Sequence, residues 1–312
     1  VNAETAEPRR VAGIDCGTNS IRLLIADVDA TGRLHDVVRR MEVVRLGEGV
    51  DDTGRLSEAA LERTRAALAD YTDQITEHGA EAVRMVATSA SRDAANAGDF
   101  TAMVESVLGA SPEVISGDEE ARLSFTGAVA TLPELEGQRL LVDIGGGSTE
   151  FVRGVDSEVL DAVSTDVGCV RMTERHLRSD PPAPGEVEAA VADIRSFVDR
   201  GLAAADPDRE AEELVAVAGT ATTIAGIGLD LPAYDADAID GTRLDYEQVV
   251  NVTAKLVAAD HAERLAIPVM HPGRADVIVG GALVLRTIME DGGLNSVLVS
   301  EHDILDGITL SA

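Results

Sequence analysis

Short apolar runs alternate with turns and then with helical stripes along this chain, in an order that occurs twice. Residues 11–16 and 21–28 are apolar runs split by a small polar turn. Asp29-Ala30-Thr31-Gly32 makes a second turn, and 34–46 alternates in part. Three consecutive antiparallel strands account for this pattern. Ser57 then caps a helix in which Leu61, Leu68, Tyr71 and Ile75 share one stripe. A buried-strand run at 82–87, a polar turn at 88–93, a helix, a short strand near 113–115 and a helix from Gly117 complete the first half.

The second half restarts the same way. Strands are predicted at 140–143, 149–153 and 158–164, and helices near 167–177 and 185–203. An apolar strand at 214–218 follows, and Gly219-Thr220 opens the next helix. Further helices are expected over about 245–258, 260–266 and 274–290, with a last one over about 302–310 packing back on the first lobe. The Pro181-Pro182-Ala183-Pro184 stretch reads as a loop before a helix, too short for a domain linker. Three antiparallel strands followed by alternating helix and parallel strand, twice over, predict an α/β fold of two lobes with mixed sheets. The ligand is expected in a cleft between the lobes, at strand ends.

The repeat extends to the turns. Val11-Ala12-Gly13-Ile14-Asp15-Cys16-Gly17-Thr18-Asn19-Ser20-Ile21-Arg22-Leu23 aligns without a gap on Arg139-Leu140-Leu141-Val142-Asp143-Ile144-Gly145-Gly146-Gly147-Ser148-Thr149-Glu150-Phe151. Neither copy has the Lys-Ser/Thr ending of a P-loop, and another strand follows each, so both are hairpins. Three consecutive glycines exceed what a hairpin needs and let a ligand approach the backbone closely. Turns rich in backbone N–H groups cradle phosphate oxygens. Asp15 and Asp143, each ending its strand beside such a turn, would repel phosphate without a cation, and Mg²⁺ is the natural bridge. Glu150, on the outgoing strand, either completes a metal shell or is an ordinary exposed strand residue; Arg22 stands at the matching position of the first copy.

Composition narrows the partners. The formal charge is −30 and only Lys255 among the 26 basic residues is a lysine. So acidic a surface disfavours nucleic acid and anionic membrane as partners, and a polyanionic ligand would need arginines gathered at the site. No apolar stretch approaches the roughly 20 residues of a membrane span, and the polar first ten residues lack a signal-peptide core. Cys16 and Cys169 are isolated, which suits a reducing cytoplasm. Aromatics make up 2%, too few for base-stacking platforms, and the six histidines form no HExxH-like pair, so zinc is not expected.

Three further segments carry chemistry. Ser116 and Glu119 read as a capping box that leaves Glu120 free to take a proton from a water attacking phosphorus. Arg92, in the hydroxyl-rich turn Thr88-Ser89-Ala90-Ser91-Arg92, suits a phosphate-holding guanidinium, with a surface salt bridge as the alternative. Gly219-Thr220 offers amide donors at a helix N-terminus. Arg274-Ala275-Asp276, ahead of an apolar helix with Gly280-Gly281, reads as mostly structural.

Taken in order, these segments resemble the exopolyphosphatase/guanosine pentaphosphate phosphohydrolase (Ppx/GppA) family of the actin-like phosphotransferase superfamily, in its short two-domain form. The resemblance implies two actin-like (ribonuclease H-like) lobes, each a mixed five-stranded sheet with flanking helices, over residues 1–124 and 125–299. It implies Mg²⁺-dependent removal of the terminal phosphate from a phosphoanhydride chain, with Mn²⁺ as a substitute. Glu120, Asp143 and Glu150 then look like the catalytic acids and base, with Asp143, Glu150 and Asp15 toward the metal. Gly17, Thr18, Asn19, Ser20, Arg92, Gly145, Gly146, Gly147, Ser148, Gly219 and Thr220 look like the phosphate-holding set. Without the extra C-terminal domains of long members, short polyphosphate is the expected substrate. The rivals are guanosine pentaphosphate, tied to the stringent response; a sugar or acetate kinase; and a non-catalytic sensor of alarmone or short polyphosphate. A homodimer is one assembly to test.

Overall fold

The computed structural model describes residues 8–133 and 137–312. The chain divides into two compact units: one runs up to Ala130 and takes in Ile304–Ala312, and the other is Thr131–Asp303.

In the first unit β1 (Arg9–Cys16), β2 (Ser20–Val28) and β3 (Leu34–Val43) form an antiparallel meander, and β4 (Ala82–Ala87) and β5 (Glu113–Val114) continue it in parallel beside β1. The sheet order is β3-β2-β1-β4-β5. The central strands read as continuous apolar runs because both their faces are covered. Ile14, Cys16, Leu23 and Ile25 face a core shared with helices Glu58–His78 and Ala97–Leu108. On the other face Leu24 and Ala26 pack on Leu305 of helix Ile304–Leu310, and Val86 packs with Ile304 and Ile308. That helix comes so close that a Cβ on Gly13 would strike Thr309, and one on Gly307 would strike the carbonyl of Leu123 in helix Gly117–Val129.

The second unit repeats the plan. β6 (Gln138–Ile144), β7 (Thr149–Val155) and β8 (Glu158–Thr165) are the meander, β9 (Ala211–Val217) runs parallel to β6, and the order is β10-β11-β9-β6-β7-β8. β11 (Ser296–Val299) takes the place β5 has in the first unit. A sixth strand, β10 (Arg243–Asp245), pairs antiparallel with β11, so this sheet exceeds the five strands expected. Shared strand order and directions make both units ribonuclease H-like lobes of the actin-like kind. Helices Pro184–Ala205, Ala218–Gly228, Tyr246–Ala258 and Ile278–Gly292 enclose the second core. Among the described residues no helix is long and apolar enough to cross a membrane.

Candidate active site

The turn after β1 is held from one side. Gly47 N–H donates to the carbonyl of Thr18, and Val44 and Arg45 N–H donate to that of Asn19, at 2.8–3.1 Å. In a trans peptide the C=O and the next N–H point in opposite directions. Fixing those two carbonyls therefore aims the amides of Asn19 and Ser20 away from the 44–47 segment. The Thr18 hydroxyl bonds Ser89 Oγ at 2.8 Å, and Thr88 N–H donates to the Cys16 carbonyl, so the segment after β4 is tied to the same turn. Asp15 does not face an open shell. Arg22, its register partner on β2, donates to Asp15 Oδ2 from Nε at 2.9 Å and from Nη2 at 2.6 Å.

The expected polar turn at 88–93 is a single helical turn, Ser89–Asp93. Its Arg92 lies 3.1 Å from both the Ile115 carbonyl and Glu120 Oε2, donating from Nη1 to each. Glu120 is buried in the first turn of helix Gly117–Val129. Ser116 Oγ accepts from Glu119 N–H at 3.3 Å, one half of the capping box, while the Glu119 carboxylate pairs with Arg84 at 2.8 Å. An arginine in reach took the carboxylate that the spacing assigned to a backbone amide.

The second hairpin is built on the same principle with other parts. Cys169 N–H donates to the Gly145 carbonyl, and Val170 and Arg171 N–H donate to the Gly146 carbonyl, at 2.9–3.1 Å. Arg171 Nε donates to the Gly147 carbonyl at 2.8 Å. The first donors of helix Cys169–His176 thus satisfy the turn, and the amides of Gly146, Gly147 and Ser148 are turned the other way. Gly168 makes this possible, since any Cβ there would strike the carbonyl of Gly146. Asp143 and Glu150 are register partners across β6 and β7, both buried and on the sheet face turned from the main core. Ser164, opposite Glu150 on β8, donates to its Oε1 at 2.7 Å. Among the described residues no group of three or more His, Cys, Asp or Glu could hold a metal ion. Two carboxylates do suit Mg²⁺, which commonly takes one or two from protein and the rest from water and phosphate.

Gly219 and Thr220 begin helix Ala218–Gly228, entered through Ala218 at φ 65. The Arg274 guanidinium lies over Gly219, donating to its carbonyl at 3.3 Å and to Thr223 Oγ1 at 3.2 Å. The Thr220 side chain packs against Gly281, where a Cβ would come within 2.6 Å of its hydroxyl, and beside Cys169.

A model of the Ppx/GppA phosphatase family matches residues 24–312. The chain belongs to that family. Exopolyphosphatase 2 of Mycobacterium tuberculosis is 50% identical over 314 residues, 97% of this chain and 98% of its own. The structure of a Ppx/GppA enzyme from Aquifex aeolicus superposes with a TM-score of 0.81 at 31% identity, covering 97% of this chain and 99% of its own. An exopolyphosphatase structure from Cytophaga hutchinsonii gives 0.85 at 27% identity over 96% of each chain.

Within this family member each unit gathers its own part of the candidate set. The first brings together Gly17–Ser20, Arg92 and Glu120; the second brings together Gly145–Ser148, Asp143 and Glu150. Sequence reading missed the buttresses, 44–47 and 168–171, and the hydroxyl of Ser164. Gly47 and Gly168 were the available signals, because each leaves room for a neighbouring turn rather than making one.

Proposed function

We propose that this chain is a Mg²⁺-dependent exopolyphosphatase that removes the terminal phosphate of inorganic polyphosphate and favours short chains. The observation that carries this reading is the register pairing of two buried carboxylates, Asp143 and Glu150, beside a turn whose amides face away from their buttress. Like charges directly opposite on a sheet are unfavourable, and a divalent cation offsets them. The relative named Exopolyphosphatase 2 supports the substrate class. The preference for short chains follows from a formal charge of −30, against which a long polyanion would need an extended basic track.

Glu120 takes a proton from the attacking water, whose oxygen bonds to the terminal phosphorus as the bond to the bridging oxygen breaks. Orthophosphate leaves a chain shorter by one. The amides of Asn19, Ser20, Gly146, Gly147 and Ser148 and the Arg92 guanidinium hold phosphate oxygens. Gly17 and Gly145 allow close approach, Thr18 fixes its turn through Ser89, and Gly219 and Thr220 contribute backbone only. Asp143 and Glu150 would hold the Mg²⁺, which when bound supplies charge neutralisation at the phosphoryl oxygens; Mn²⁺ would serve likewise. Asp15 acts through Arg22, which it orients. Positioning and electrostatics dominate catalysis of this kind. A cytoplasmic setting suits the two free, buried cysteines.

The test is phosphate release from short polyphosphate, long polyphosphate and guanosine pentaphosphate at equal enzyme with Mg²⁺. Faster release from short than from long chains is expected. Release from the nucleotide alone would replace the substrate, and binding without release from any of the three would make the chain a sensor.

A further inference from the structure

The Arg92 guanidinium is committed at one corner only. Nη1 serves both the Ile115 carbonyl and Glu120 Oε2, whereas among the described residues nothing accepts from Nε or Nη2. The Arg92 side chain is 27% exposed, against 10% for Glu120, so of the pair the arginine is the more accessible partner. Backbone contacts fix the rest: Arg92 N–H donates to the Thr88 carbonyl, and parallel pairing of β4 with β5 sets Ile115 beside the helical turn.

We propose that Arg92 is a positioning residue that bridges the terminal phosphate and Glu120 through opposite sides of one guanidinium. This rests on the reading of Glu120 as the base. A guanidinium is planar and rigid, so its free edge takes phosphate oxygens while Nη1 stays on the carboxylate. The 3.1 Å contact to Glu120 on one side and a charge-assisted bond of about 2.7–2.9 Å to phosphate on the other then fix the separation of carboxylate and phosphorus. Arg92 thereby sets the spacing across which the attacking water is held. The grip on phosphate and the placement of the base are one structural act.

A lysine cannot do both. Its ammonium is a point charge on a flexible stem; it can neutralise phosphate or Glu120 without fixing the distance between them. Steady-state kinetics on polyphosphate, with the full chain and saturating Mg²⁺, separate the cases. Arg92→Lys should keep KM within about threefold but lower kcat by about 10²-fold, the cost of misplacing a reacting group by an ångström. Arg92→Ala should lose more, and millimolar guanidinium, well below denaturing levels, should restore part of its kcat. A raised KM with unchanged kcat in Arg92→Lys would reduce Arg92 to a phosphate grip. Failure of guanidinium to restore Arg92→Ala, with its thermal unfolding unchanged, would also overturn the bridge. Wild-type chain that releases no phosphate would count against the proposed function instead, so the two failures are distinguishable.

Discussion

Glu150 stands directly opposite Asp143 across the first hairpin of the second unit, in the place that Arg22 holds opposite Asp15 in the first. The first pair is an ion pair closed at 2.6 Å; the second brings two acids into register. One duplicated hairpin has thus been given two electrostatic meanings by a single position.

Glu150→Gln keeps the shape and an acceptor for Ser164 but removes one charge. Loss of an outer-shell partner of a metal typically costs about 10–100-fold in metal affinity, and loss of a ligand should cost no less. The Mg²⁺ concentration giving half-maximal phosphate release should therefore rise at least tenfold. An unchanged Mg²⁺ titration would remove Glu150 from the metal role.

Glu120→Gln should lower turnover by about 10²-fold or more, the usual share of a general base. Thermal unfolding should shift little, because the amide oxygen still accepts from Arg92. Near-wild-type turnover in the variant would end the assignment.

Much of this was legible in the sequence. The doubled hairpin, the apolar runs and the helix opening at Ser116 each carry a local signature. The interactions that give the candidate residues their meaning are not local. Arg92 meets Glu120 across 28 positions only because β4 and β5 pair in parallel, a register that no periodicity announces. Asp15 reads from the sequence as an acid beside a metal, and only the structure shows Arg22 donating to its Oδ2. β10 and β11 were missed because strands of three and four residues are too short to show alternation.

Gly168→Ala tests the buttress of the glycine turn. Gly168 has φ −152, extended backbone open to any residue, so the cost of a methyl group is its collision with the Gly146 peptide. Overpacking of this sort costs about 1–3 kcal/mol. Denaturant unfolding should reveal that loss, and KM for polyphosphate should rise as the amides of Gly146 to Ser148 lose their aim. A stable variant with unaltered KM would show that the turn keeps its conformation without this contact.

Ser91→Ala should be neutral or stabilising. The Ser91 hydroxyl is buried and, among the described residues, has no hydrogen-bond partner. An unsatisfied buried group carries a penalty of about 1–3 kcal/mol, which alanine removes. A lower unfolding temperature in the variant would mean that the hydroxyl is satisfied in solution.

The thiols should be silent at neutral pH. Burial pushes Cys169 up to about 11, against the opposing pull of Arg274 and Thr220, and burial with nearby Asp15 raises Cys16 as well. In the unfolded chain a thiol ionises near 8.5. The contribution of these groups to stability is thus complete below about pH 8.5 and is lost as pH climbs toward 11, at about 1.4 kcal/mol per unit for each thiol. Native chain at pH 8 should resist a thiol reagent that labels both cysteines in denaturant. Urea unfolding between pH 8.5 and 10 should weaken less in Cys169→Ala than in wild type. Rapid native labelling would contradict the burial.

Helix Ile304–Leu310 completes the second face of the first sheet, lying against Leu24, Ala26 and Val86, although the whole of the second unit intervenes in the chain. During synthesis the unit that is begun first is therefore the one finished last. Its sheet must wait with one apolar face uncovered until 173 further residues, Thr131–Asp303, have been made. That face is the one that carries Asp15 and Arg22. The nascent chain thus holds every residue of the second lobe before the first can close, and no contiguous fragment ending before Ile304 holds all of the first lobe's layers.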